Sequence, residues 1–229
     1  MLSGSTIRNS EMLLLSQSAD LVPPTPPAQG PAATPITTLF LKPRESLILG
    51  SGQGAMFFRV KDGCVAISRH LPDGRRQICD IIGPGRLFGF ALQGGDQGMA
   101  ESLTYSTVER HGPRSARISL PDEVGQLLNR QQSHALLLGR KTAVEKVASA
   151  LIDLADQFSR TGGARPCFAL FPTRSDLADW LGLTFETVSR CLHRFKREKL
   201  IEFERPEQIR ILDMRELQRV AGATHSPST

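Results

Sequence analysis

Glu186, Ser189, Arg190 and His193 recur at i, i+3, i+4 and i+7 within Thr184–Lys199, TFETVSRCLHRFKREK. Each can bond a nucleobase edge or a phosphate. An arginine donates two parallel hydrogen bonds to guanine O6 and N7, a glutamate accepts from the cytosine N4 amino group, and a serine meets thymine O4 or its methyl. The spacing places all four on one side of a helix, and Val188, Leu192 and Phe195 form an apolar strip on another. Five cations (Arg190, Arg194, Lys196, Arg197, Lys199) against two anions (Glu186, Glu198) leave this segment at +3. His193, Arg194 and Arg197 therefore suit phosphate contacts, which position a helix without specifying a sequence. A solvated basic helix face is the bland alternative, so the neighbouring elements decide the reading.

Those neighbours have the steric pattern of a helix pair. Arg174–Leu181 is the expected first helix, entered through Pro172-Thr173, with Gly182-Leu183 as the tight turn. Ala178 is small where two helices must cross closely, Gly182 permits the turn, and Val188 fills the space between. Thr184 caps the second helix through its hydroxyl, with Glu186 in the first turn. Thr173 and Arg174, at the start of the first helix, can meet phosphate through backbone amides, and Thr184 can do so at the start of the second. A strand at Cys167–Phe171 precedes the pair. Strand-like pieces Ile201–Glu204 and Gln208–Leu212 follow it, then a helix Met214–Ala221 capped by Asp213. Helix-turn-helix plus hairpin is a winged arrangement, whose wing lies along the DNA backbone.

The rest of the chain divides by composition. Residues 1–35 are rich in Ser, Thr and Pro and are expected to be disordered, because they bury too little apolar surface to offset ordering entropy. Residues 36–120 carry short apolar runs such as SLILG, MFFRV, CVAIS and QICDII, punctuated by Gly50-Ser51-Gly52, Asp62-Gly63, Asp73-Gly74 and Gly83-Pro84-Gly85. Close-spaced strands with glycine turns imply an antiparallel barrel or sandwich. Residues 121–141 read as a long helix. Val124, Leu127, Leu128, Gln131, His134, Leu137 and Leu138 form its stripe, expected to pair with a second copy, since a reader with one recognition helix gains palindrome specificity by dimerising. Packing on the same chain's barrel is the alternative. A second amphipathic helix with Ala143, Val147, Ala148, Leu151, Leu154 and Phe158 inward opens the winged domain, 142–222, and 223–229 is a flexible tail.

The 229 residues carry 28 Lys and Arg against 23 Asp and Glu, a net charge of +5, too mild to name a partner. The four cysteines, Cys64, Cys79, Cys167 and Cys191, form no CxxC pair, so neither a disulfide framework nor a metal site is implied. Met12–Leu15 is too short for a secretory or membrane-spanning segment, and a cytoplasmic protein is expected. No P-loop, nucleophile elbow or HExxH occurs, so no enzyme is indicated.

The run Leu183-Thr184-Phe185-Glu186-Thr187-Val188-Ser189-Arg190, with the wing after it, resembles the Crp–Fnr superfamily of bacterial regulators over roughly residues 36–222. The resemblance implies an α+β chain: an N-terminal antiparallel, cupin-like β-roll, a long dimerisation helix and a C-terminal winged helix-turn-helix. The E-x-x-S-R pattern is similar to the Fnr/FixK branch. Phe185 stands where the cyclic-AMP receptor branch has Arg, and Ser189 where it has Gly. By this resemblance the protein is a homodimeric regulator, an activator of low-oxygen genes, reading a TTGAT-N4-ATCAA-like palindrome with Glu186, Ser189 and Arg190. RNA polymerase would be a further partner, meeting the Pro72-Asp73-Gly74-Arg75 hairpin and the loops near Gly162.

The family's sensory options can be tested on residues. A cyclic-nucleotide cassette needs a Glu where Phe90 follows Gly89, and an Arg near Met99–Ser102, which has none. An iron–sulfur cluster needs four thiolates, yet residues 1–35 hold no cysteine and Glu109 occupies the stretch of the barrel ligand. A regulator without cofactor or metal is thus expected. Haem on His70, His111 or His134, or a nucleotide, stands as the ligand-gated alternative. An interaction adaptor with a degenerate helix-turn-helix is the alternative of another class. Cys191 adjoins Arg190, where oxidation would block the groove face, but its spacing to Val188 and Phe195 favours a core position over a redox role.

Overall fold

The computed structural model describes residues 36–49, 57–89, 98–112, 120–159, 165–205 and 207–222. The two expected tails, the Gly50–Gly52 turn, Phe90 and the loop at Gly162 lie outside them.

Among the described residues, eight strands form the N-terminal part: β1 (Thr37–Leu41), β2 (Ser46–Ile48), β3 (Phe57–Asp62), β4 (Val65–His70), β5 (Arg76–Ile82), β6 (Leu87–Phe88), β7 (Met99–Ser102) and β8 (Ser106–His111). They build two four-stranded antiparallel sheets, ordered β1-β8-β3-β6 and β2-β7-β4-β5. The Asp-Gly turns behave as their chemistry requires, with Gly63 at φ 92° and Gly74 at φ 87°. Between the sheets lie Leu41, Phe58, Val60, Val65, Ile82, Phe88, Ala100 and Val108. Phe58 stacks on Phe88, ring centroids 5.3 Å apart.

Helix α1 (Leu120–Arg140) then runs along the roll. Two ion pairs fasten it there: Arg59 to Glu123 at 2.7 Å and Arg130 to Asp80 at 3.2 Å. Helix α2 (Ala143–Phe158) starts at a capping box in which Thr142 and Glu145 exchange side-chain-to-backbone bonds. It buries Val147, Ala148, Leu151 and Leu154, whereas Ala143 and Phe158 are only partly covered.

The winged part contains β9 (Cys167–Ala169), α3 (Arg174–Leu181), α4 (Phe185–Arg197), β10 (Ile201–Arg205), β11 (Gln208–Ile211) and α5 (Met214–Val220). Its sheet is ordered β10-β11-β9. One continuous apolar core joins Ala66, Ile78 and Ile81 of the roll to Val147, Leu151 and Leu154 of α2 and to Leu177, Val188 and Phe195 of the helix pair. The winged part is therefore packed on the roll.

The expected dimer stripe is split between two faces of α1. Val124 and Leu128 are 37% and 55% exposed, and Leu136, absent from the expected set, is 63% exposed. Leu127 and Gln131 are half-buried. Contrary to expectation, Leu137 is buried in the core of its own chain and Leu138 packs against that core. His134 stacks on Trp180 of α3, centroids 5.9 Å apart. At 3.6 residues per turn, the seven chosen positions span more than one face, so some must turn inward.

Candidate nucleic-acid interface

Helix α3 begins where a sharp local signal demands. Thr173 Oγ1 accepts from the Asp176 amide at 3.1 Å, and the Asp176 carboxylate accepts from the Thr173 amide at 2.9 Å. The Thr173 hydroxyl also donates to that carboxylate, at 2.7 Å. It is thus committed to the cap, and Arg174 beside it is exposed. Burial alone pushes the Asp176 carboxyl up, but hydrogen bonds from Arg44, Thr173 and Arg76 more than offset it and hold it at about 2.

The helix ends at Gly182, whose φ of 60° lies in the left-handed region that a side chain resists. The Leu183 amide reaches back to the Ala178 carbonyl at 3.0 Å, closing the turn. Ala178 and Val188 are both buried at the crossing of α3 and α4.

Helix α4 presents its two faces as the spacing requires. Val188, Cys191, Leu192 and Phe195 are buried, while Glu186, Arg190, His193, Arg194, Lys196 and Arg197 are exposed. Its cap is Thr184, whose Oγ1 accepts from the Thr187 amide at 3.2 Å and lies 3.1 Å from the Thr187 hydroxyl. Arg190 Nη2 donates to Thr187 Oγ1 at 3.2 Å. A line of three side chains thus runs from the cap to the guanidinium. Hydrogen bonds from its own amide and from Thr184 hold the Glu186 carboxyl below the usual range. Lys199, at φ 56°, ends the helix in a left-handed residue, and Leu200 bonds back to the Phe195 carbonyl at 2.9 Å.

Ser189 departs from expectation. Its hydroxyl oxygen is enclosed, with no hydrogen-bond partner. Of the three groups expected on base edges, Glu186 and Arg190 face outward and Ser189 does not in this rotamer. The physical reason is its position on the flank of the helix, between the exposed face and the buried strip. Cys191 is a core residue, 6% exposed, and burial pushes its thiol up, away from the reactive thiolate. Arg194 is engaged with Glu198 at 2.8 Å.

A cleft of about 760 Å³ adjoins this face, lined among others by Arg44, Thr173, Arg174, His193, Lys196 and Arg205. Arg174, Lys196 and Arg205, from both helices and the wing, line this concavity beside Glu204 and Glu207, while Arg44 of the roll is paired with Glu101 and Asp176. Thr187, Arg44 and Arg205 carried no role in the sequence reading. Thr187 stands one helical turn from both Thr184 and Arg190, which was available as a signal. Nothing local in the sequence points to Arg44.

Among the described residues no group of three or more His, Cys, Asp or Glu is arranged to hold a metal, and no helix is long and apolar enough to cross a membrane. His111 is buried and stacked on Phe57, and His134 is half-buried and stacked on Trp180.

Comparison with known proteins agrees with this geometry. The Crp-like helix-turn-helix domain family matches residues 145–220. The nitrogen fixation regulation protein FixK of Rhizobium meliloti is 34% identical over 185 residues, 80% of this chain and 86% of the relative. The transcriptional activatory protein AadR of Rhodopseudomonas palustris is 34% identical over 191 residues, 79% of this chain and 80% of AadR. Among solved structures, FixK2 from Bradyrhizobium japonicum superposes with a TM-score of 0.72 at 28% identity, covering 84% of this chain and 100% of that one.

Proposed function

The chain belongs to the Crp–Fnr family of DNA-binding transcriptional regulators, in its FixK-like branch, and from that premise we propose that it acts as a homodimeric activator on a TTGAT-N4-ATCAA-like palindrome. The observation that carries the proposal is the two-faced helix α4. Its apolar side is locked into the core, while Glu186 and Arg190 stand outward one turn apart. Arg190 reads a guanine and Glu186 a cytosine amino group. Ser189 joins them on rotation about χ1, which turns its hydroxyl out of the enclosed position. Arg174, the α3 amides, Thr184, His193, Arg194 and Arg197 hold the phosphates.

Dimerisation follows from an exposed apolar face. Val124, Leu128 and Leu136 stand open on α1. Pairing that face with a second copy removes it from water and sets two recognition helices about one axis. The Pro72–Arg75 hairpin is offered to RNA polymerase. Control without a bound nucleotide is favoured over a ligand-gated roll by the sequence, in which Phe90 stands where the nucleotide cassette needs a Glu and Met99–Ser102 holds no Arg. The link to low oxygen rests on likeness to the Fnr and FixK regulators.

Gel shift with the purified protein tests this reading. A retarded band on the palindrome, competed by cognate but not by scrambled duplex, is expected. Equal competition by both duplexes would favour the interaction adaptor instead.

A further inference from the structure

Five charged side chains meet where the β-roll touches α3. Arg76, at the start of β5, reaches Asp176 at 2.5 Å, Asp179 at 2.9 Å and Glu101 of β7 at 3.0 Å. Arg44, in the turn between β1 and β2, reaches Glu101 at 2.9 Å and Asp176 at 3.2 Å. Asp176 is 1% exposed, and its carboxylate is the one that closes the capping box of α3. Arg44 sits at φ 68°, in the left-handed region that a side chain enters only at a cost. Two carboxylate partners offset that cost.

The same strand holds the other end of the helix. Gln77 Nε2 donates to the Asp179 carbonyl at 2.7 Å and to the Trp180 carbonyl at 3.4 Å. These belong to the last carbonyls of α3, which lack partners within the helix. Adjacent residues of β5 thus grip α3 at its first-turn carboxylate and at its last-turn carbonyls. Helix α3 in turn carries α4 through the tight Gly182 turn and the Ala178–Val188 crossing. Arg130 and Arg59 fasten α1, the helix with the exposed apolar face, to the same roll. Through these contacts the roll links α1, with its exposed apolar face, to α3 and so to α4.

We infer that Arg76 and Gln77 are positioning residues for DNA binding: they fix the direction of α4 relative to α1, and so set which separation of half-sites the protein accepts. This rests on the dimeric reading proposed above. Neither residue is assigned a contact with DNA; both act through α3.

The test uses full-length Arg76→Gln and Gln77→Leu, with thermal melting to confirm that each is folded. Affinity is measured on a single half-site duplex and on palindromes with the best spacer, one base pair shorter and one longer. Wild type is expected to prefer one spacer. The variants should bind the half-site within about twofold of wild type, lose about tenfold or more on the best palindrome, and discriminate poorly among spacers, because two-site binding is lost when geometry forbids simultaneous engagement. Gln77→Leu removes no charge and keeps the readout should Arg76→Gln fail to fold. The inference is overturned if folded variants keep the spacer preference, or if half-site and palindrome affinities fall together. A wild-type protein with no spacer preference would instead overturn the dimeric reading, and this inference with it.

Discussion

The guanidinium of Arg190 lies 3.2 Å from the hydroxyl of Thr187, one turn back along the same exposed face. The cap hydroxyl of Thr184 lies beside Thr187 in turn. Arg190 is thereby held along the helix before any DNA arrives, which limits the rotamer entropy lost on binding a guanine. Arg190→Ala should cost roughly 1–3 kcal/mol on the cognate palindrome and relax preference at the guanine. Anisotropy titrations against cognate and guanine-substituted duplexes check this. An equal loss on every sequence would remove the base-reading role.

Arg194 is assigned to the backbone. Arg194→Ala should weaken binding to all sequences alike and make the salt dependence shallower by about one counterion. Affinity measured across a salt series is the readout, and a loss confined to the cognate site would contradict the assignment. Its pairing with Glu198 is a half-exposed i, i+4 contact, worth at most a few tenths of a kcal/mol, about 0.3–0.5. Phosphate can therefore displace Glu198 cheaply.

Leucines on the two faces of α1 should behave oppositely. Leu128→Glu with Leu136→Glu alters exposed positions, so the fold should survive while sedimentation shifts to the monomer and palindrome binding weakens. Leu137→Ala empties a buried position and should lower unfolding stability by about 2–5 kcal/mol. A double glutamate variant that remained dimeric would mean that another face makes the contact.

Asp176 makes stability depend on acid. Its folded value, about 2, lies below the ordinary carboxylate value of 3.8, so it contributes stability fully above about 4. That contribution is lost as pH falls from about 4 through about 2, where the folded carboxylate takes up its proton. Denaturant melts across that range should show a fall that Asp176→Asn lacks. Thr173→Ala should separately cost about 0.5–2 kcal/mol through the lost cap.

The helix pair was legible because its signals are local. Thr173 and Gly182 bracket α3 at Arg174–Leu181, as the sequence reading expected, and Thr184 starts α4. Strand ends were less sharp: β9 stops at Ala169 rather than Phe171, and β10 runs to Arg205, because pairing partners rather than composition end a strand. The two faces of α1 were not legible. Leucine at 128 and at 137 looks alike in one dimension, and only the tertiary core that takes in Leu137 decides which is buried. The Arg44–Asp176 pair spans 132 positions of sequence, so no local pattern announces it. The aim of the Ser189 hydroxyl was not legible for a related reason: periodicity assigns a face, whereas the rotamer sets where the hydroxyl points.

Selection of bound duplexes from a random pool, using the purified full-length protein, bears most directly on base reading by α4. Enrichment of two inverted half-sites at fixed separation, with a guanine whose enrichment disappears in Arg190→Ala, is the predicted result. A pool with no enriched sequence, or one whose motif is unchanged by removing Arg190, would contradict it.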